Sequence, residues 1–172
     1  GRIDLKGVLI DFPPPALHTD PDVSAVAQLN YLTGQAVPAL VGASRTTSRD
    51  QARDAARQAD LRGIRAVLEM LRRSPQPVVL NVVGSTRDIA IAGGLEPELF
   101  AKQCAGIYLN AGSGSPDKAK TKRLEYNVGL DPASYAAIFQ LPCPVYWMPC
   151  FEDAGEFRLA GFGTFYGFRQ DL

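Results

Sequence analysis

The chain has 172 residues, 46% apolar and 21% charged, which suits one domain with a sizeable core and makes two domains a strained reading. Its 18 basic and 18 acidic side chains cancel, so no overall field draws it to nucleic acid or to an anionic membrane surface. No apolar run approaches a membrane span, and the cysteines Cys104, Cys143 and Cys150 are too scattered for a disulfide framework or a zinc site; they read as small buried packing residues.

Leu5 to Phe12 (LKGVLIDF) is nearly all apolar and stops at Pro13-Pro14-Pro15, which predicts a buried parallel strand. From Asp22 to Leu32, Val23, Val26, Ala27 and Leu29 recur at helical spacing, with Gly34 placed as a C-terminal cap. Val37 to Val41 reads as a short strand. Ser48 and Gln51 form a capping box for a helix that reaches about Arg73, its apolar face carried by Ile64, Val67, Leu68 and Leu71. Pro77 to Val83 is the clearest strand, closed by Gly84, after which Ser85 and Thr86 can cap a helix containing Ile89, Ala90 and Ile91.

A short helix, Pro97 to Cys104, leads into a strand from Gly106 to Leu109, then a loop from Asn110 to Lys122. A helix from Pro132 to Phe139 and a strand from Val145 to Met148 follow. This alternation predicts an α/β fold, a mainly parallel open sheet with helices on both faces. The strands near Val8, Val79 and Ile107 are expected side by side in one sheet. Beyond Phe151, aromatic residues alternate with Gly155, Gly161, Gly163 and Gly167, which weakens any helix or strand assignment and favours packing over a nucleobase platform.

In open parallel sheets, ligands sit at the carboxyl ends of the strands. Those ends carry Asp11, then Gly84-Ser85-Thr86-Arg87-Asp88, then Asn110-Ala111-Gly112-Ser113-Gly114. A phosphate cradle over Gly112 to Ser115 lacks the P-loop ending, and Lys118 to Lys122 reads as a solvated loop. His18, the single histidine, reads as an exposed loop residue, although its ordinary pKa would suit acid/base work. Thr19-Asp20-Pro21-Asp22 reads as helix capping. No G-x-G-x-x-G follows the first strand, which disfavours a dinucleotide-binding domain.

The most informative segment is Glu125-Tyr126-Asn127-Val128-Gly129-Leu130-Asp131-Pro132. An ionised Glu accepts hydrogen bonds from vicinal hydroxyls and an Asn amide both donates and accepts, so Glu125 and Asn127 suit a sugar. Asp131 and Pro132 suit a helix start instead, as N-cap and first helical residue.

This E-Y-N-x-x-x-D-P run resembles the ribose-binding segment of the calcium-dependent nucleoside hydrolases. Val37 to Ala43, Gly84 to Ala90 and Ile107 to Gly112 are similar to further segments of that family, in the same order. The resemblance covers most of residues 3 to 150. It implies an α/β fold and hydrolysis of a ribosyl C–N bond by metal-bound water, with a nucleoside or ribose-like ligand held by Glu125, Tyr126 and Asn127 beside Asn110.

Several positions depart from the family pattern. The strand ending in the calcium-binding aspartates would precede Gly1, and the late His-Asp pair would follow Leu172, so the domain is expected to be incomplete at both ends. Pro14 stands in place of Asn, Asn110 in place of Met, and Arg87 in place of the Thr whose carbonyl meets the metal, putting a permanent positive charge there. No metal and no other cofactor is therefore expected in this chain, and no residue in it is assigned a catalytic role. The alternative is a non-catalytic sugar-binding or structural module of the same fold. The chain reads as soluble with a cytoplasmic setting favoured, and a homo-oligomer is compatible with it.

Overall fold

A computed structural model of the chain describes residues 3–12, 21, 23–47, 60–113 and 124–150. The triple proline, His18, the Ser48/Gln51 box, the Lys118 to Lys122 stretch and the aromatic segment from Phe151 lie outside the described residues. Among the described residues five strands and six helices follow in order: β1 (Val8–Ile10), α1 (Ser24–Thr33), β2 (Ala39–Val41), α2 (Arg62–Arg73), β3 (Val78–Val82), α3 (Arg87–Leu95), α4 (Pro97–Gln103), β4 (Cys104–Ser113), α5 (Tyr126–Leu130), α6 (Pro132–Ile138) and β5 (Val145–Cys150). Every strand pairing among the described residues is parallel, and the fold is α/β as the alternation predicts.

The strands form two ladders, β1-β2 and β3-β4-β5. Leu80 pairs with Ile107 and Ile107 with Val145, so the strands near Val79 and Ile107 are parallel neighbours as expected. The expectation for Val8 is corrected: its strand pairs with Ala39 in the separate ladder, not with Val79. The ladders are joined by α2, whose Gly63 lies against Val41 and Leu9 while its Ile64, Leu68 and Leu71 enter the core, and by side-chain hydrogen bonds from the carboxyl-end loops, described below.

The core lies under β3 and β4. Ile64, Leu68 and Leu71 of α2, Ile89 and Ile91 of α3, Phe100 of α4, Val128 of α5 and Ile138 of α6 join Val82, Ile107, Leu109 and Ala111 in one buried cluster. The i, i+3, i+4, i+7 spacing read in α2 is the stripe that is buried. On the opposite face of the strands, Val79, Val83, Tyr108, Tyr146 and Met148 stay 41–64% exposed, with Tyr108 and Tyr146 stacked at 4.7 Å.

Helix α1 ends as read, with Gly34 left-handed at φ 65° and its N–H bonded to Asn30 O. Its apolar stripe is another matter: Val26 is buried, but Leu29 and Leu32 are exposed. Two boundaries also move. Strand β4 continues through Asn110 to Ser113 where a loop was expected, because β5 runs on beside it to Cys150 and Trp147 Nε1 donates to Ala111 O at 2.7 Å. The Tyr126–Leu130 stretch, to which no element was assigned from sequence, forms a five-residue helix.

Candidate functional site

Parallel pairing sends β3 and β4 to the same edge, and α5 is delivered to that edge by one side chain. Glu125 is the N-cap of α5: its Oε1 accepts from Asn127 N at 3.0 Å and its Oε2 from Val128 N at 3.2 Å. The same Oε2 accepts from Gly112 N of β4 at 3.0 Å. Three backbone donors thus occupy a carboxylate with roughly four acceptor positions. Gly112 permits this approach, since it is left-handed at φ 83° and a Cβ there would collide with the Tyr135 hydroxyl.

Asn127 turns back to β3, where its Nδ2 donates to Val83 O at 3.4 Å. Asn110 Nδ2 donates to Met148 O at 3.0 Å, across to β5. Tyr126 is 66% exposed beside them. Glu125, Asn127 and Asn110 therefore all meet the carboxyl ends of β3, β4 and β5. Glu125 is anchored to backbone, while the two amides lie at the surface.

Behind this edge sits Arg87, 8% exposed at the first turn of α3. Its Nη1 donates to Ala43 O at 3.0 Å, its Nη2 to Leu130 O at 3.3 Å, and its Nε reaches Asp131 Oδ2 at 3.4 Å. One guanidinium thus ties the loop after β2, the end of α5 and the start of α6, using the planar fork that a lysine lacks. Asp131 caps α6 as expected, accepting from Ser134 N at 3.0 Å, and also accepts from the Thr46 hydroxyl. Burial pushes its carboxyl up, but the bonds from Thr46 and Ser134 and the charge of Arg87 outweigh this and hold it below the ordinary value.

Two further carboxylates cross between the ladders in opposite directions. Asp11, just after β1, accepts from Ser85 N at 2.5 Å in the loop after β3. Asp88, at the start of α3, accepts from Ala43 N at 2.8 Å in the loop after β2. Each carboxylate lies against a glycine, Gly84 and Gly42 respectively, where any Cβ would collide with it. Burial pushes the Asp88 carboxyl up to about 6, and the charges of Asp11 and Asp60 add to burial against the pull of Ala43 N–H and Arg87. Burial also raises Asp11, opposed by Ser85 N–H and Arg87.

Of the pair read from sequence, Thr86 stands at the N-cap position of α3, and it is Ser85 one residue earlier whose Oγ accepts from Arg87 N at 3.1 Å. Thr86 makes no such bond, and its Oγ1 is buried without a partner among the described residues.

A calcium ion takes roughly six to eight oxygen ligands. Among the described residues no three His, Cys, Asp or Glu side chains converge on one point, and the Arg87 guanidinium occupies two of the nearby backbone carbonyls. The residues described do not fit a calcium cage.

The roles of Asp11, Asp88 and Arg87 were not read from sequence, because partners 44 to 74 residues away leave no local pattern. The available signal was the Arg87-Asp88 pair itself, two charges heading the apolar helix RDIAIAGGL.

Over 82 residues, 48% of its length, the chain is 30% identical to the pyrimidine-specific ribonucleoside hydrolase RihA of Salmonella arizonae. The match spans 26% of that relative's length. No family model matches the chain. Partial similarity to a ribonucleoside hydrolase, on a parallel α/β fold, is what sequence and structure together establish.

Proposed function

We propose that this chain is a nucleoside hydrolase-like module whose carboxyl-end edge, at Asn110, Tyr126 and Asn127, takes the ribose of a nucleoside. The observation that carries it is convergence: the Glu125-capped turn brings Asn127 to the end of β3 while Asn110 stands in the carboxyl-terminal part of β4. Similarity to a ribonucleoside hydrolase supports the same ligand class and suggests pyrimidine ribonucleosides first. Glu125 acts here as the anchor of the turn, and the exposed amides meet the sugar hydroxyls. The reaction class is addition of water across the ribosyl C–N bond, giving ribose and free base.

A non-catalytic binding module is the second reading, favoured by one observation: Arg87, which the resemblance aligns with a metal-contacting Thr, holds a buried guanidinium bonded to Ala43 O. Uridine, inosine and ribose are titrated by NMR against the wild-type chain and Asn127→Ala, and ribose release is assayed in parallel with added calcium. Binding with ribose release supports the hydrolase, and binding without release supports the module. Asn127→Ala should weaken binding by about 0.5–1.5 kcal/mol, the scale of one hydrogen bond. If none of the three ligands shifts a resonance near Asn110 to Asn127, the sugar site is abandoned.

A further inference from the structure

At the opposite, amino-terminal end of the same strands, two thiols from distant parts of the chain come together. Cys104 opens β4 and is 5% exposed, and Cys143 lies in the turn between α6 and β5, partly buried against the same core. Two features of the sheet bring them close. Strand β4 pairs with β3 at Cys104 and next at Gly106, so Ala105 is an extra residue and the bulge re-aims Cys104. On the other side Ile107 pairs with Val145 and Ile107 N donates to Pro144 O at 2.8 Å. Carrying that register back two positions sets Cys143 opposite Ala105, next to Cys104.

Neighbouring strands lie about 4.8 Å apart, and a disulfide spans Cα separations of about 4.4–6.8 Å. Each thiol influences the other's acidity, as two neighbouring thiols would. We propose that Cys104 and Cys143 are a redox pair, closing to an intramolecular disulfide with a small-molecule disulfide such as oxidised glutathione.

The two cysteines have different roles. Cys143 is the more accessible, so a bulky disulfide reaches it first. It attacks one sulfur of the glutathione disulfide, whose S–S bond breaks and releases one glutathione thiolate. Cys104 then loses its proton to solvent and attacks Cys143 Sγ, expelling the second glutathione. Two protein thiols are oxidised and one glutathione disulfide is reduced. Burial pushes the Cys104 thiol up to about 12 and raises Cys143 as well, so the first step is slow at neutral pH and accelerates in alkali. The pair is remote from the proposed ribose edge, and the two proposals stand or fall separately.

The test uses the folded, reduced chain carrying Cys150→Ser, treated with excess oxidised glutathione at mildly alkaline pH and read by intact mass. The expected product is two hydrogens lighter with no glutathione attached. Adding Cys104→Ser should instead trap one glutathione on Cys143. Either retained glutathione or two persistent free thiols in the Cys150→Ser chain would overturn the proposal. If a serine variant fails to fold, the wild-type chain is oxidised, digested with chymotrypsin and mapped for a Cys104–Cys143 linked peptide. Linkage of Cys104 to Cys150 alone, or no linkage, would also overturn it.

Discussion

The β3-β4-β5 ladder and the β1-β2 ladder are written in the same kind of sequence but have different surroundings. In the first, Phe100, Ile107, Leu109 and Ile138 are fully buried because helices α2 to α6 close over one face. In the second, all three β1 residues are only half buried, and α1 leaves Leu29 58% and Leu32 76% exposed among the described residues. An apolar stripe records a preference for burial; whether it is satisfied depends on another element arriving to cover it. The contrast also separates two kinds of adhesion. The larger ladder is held by its core, whereas the smaller adds to its packing on α2 the polar ties made by Asp11, Asp88 and Arg87.

The largest test of that contrast is truncation on each side. Phe100→Ala should cost about 3–5 kcal/mol through lost burial and a cavity, whereas Leu29→Ala should stay within about 0.5 kcal/mol. Urea unfolding of both variants measures it, and equal losses would break the comparison.

Removing the guanidinium between the ladders should have a similar effect through a different cause. Arg87→Ala leaves Asp131 buried without its cation, which costs about 3–5 kcal/mol. Comparison with Asp131→Asn and the double variant would sharpen the point, since coupled residues lose less together than the sum of their separate losses. Additive losses would mean that Arg87 and Asp131 act independently.

The third test is pH. The Asp88 carboxyl sits near 6 in the fold against 3.8 in the free chain, so the folded chain binds more protons between those values. Its contribution to stability is therefore full below about pH 4 and is lost as pH rises through 6, a change of about 2–3 kcal/mol. Asp11 is raised as well and acts with the same sign, whereas Asp131 is lowered and acts oppositely at more acid pH. Thermal melts from pH 4 to 7 should show a shallower fall for Asp88→Asn than for the wild type, and an identical slope would refute the buried-carboxylate account.

Glu125→Ala gives the smallest effect, about 0.5–2 kcal/mol, the usual range for losing a helix N-cap. Amide exchange at Gly112, Asn127 and Val128, the three donors to that carboxylate, should quicken while the α2 core stays protected.

Much of this architecture was legible in advance because it is local. Strand runs such as Pro77 to Val83, the α2 stripe, Gly34 at the end of α1 and Asp131-Pro132 at the start of α6 each carry a period or a cap within a few residues. The candidate site was legible only in part. The E-Y-N-x-x-x-D-P run marked a segment that reaches the carboxyl ends of the strands, but the anchoring of Glu125 was not legible because its third donor, Gly112 N, comes from another strand.

The sequence by itself determined the α/β alternation, the parallel pairing of the strands near Val79 and Ile107, and the segment that reaches their carboxyl ends. Tertiary structure alone decided that β1 pairs with β2 and not β3, that Arg87 became a buried tie, and that Cys104 met Cys143. The physical reason is range. Periodicity and capping are set by neighbours a turn or a residue away, whereas the register of strands and the fate of a buried charge depend on which distant backbone amides and carbonyls are brought within hydrogen-bond reach.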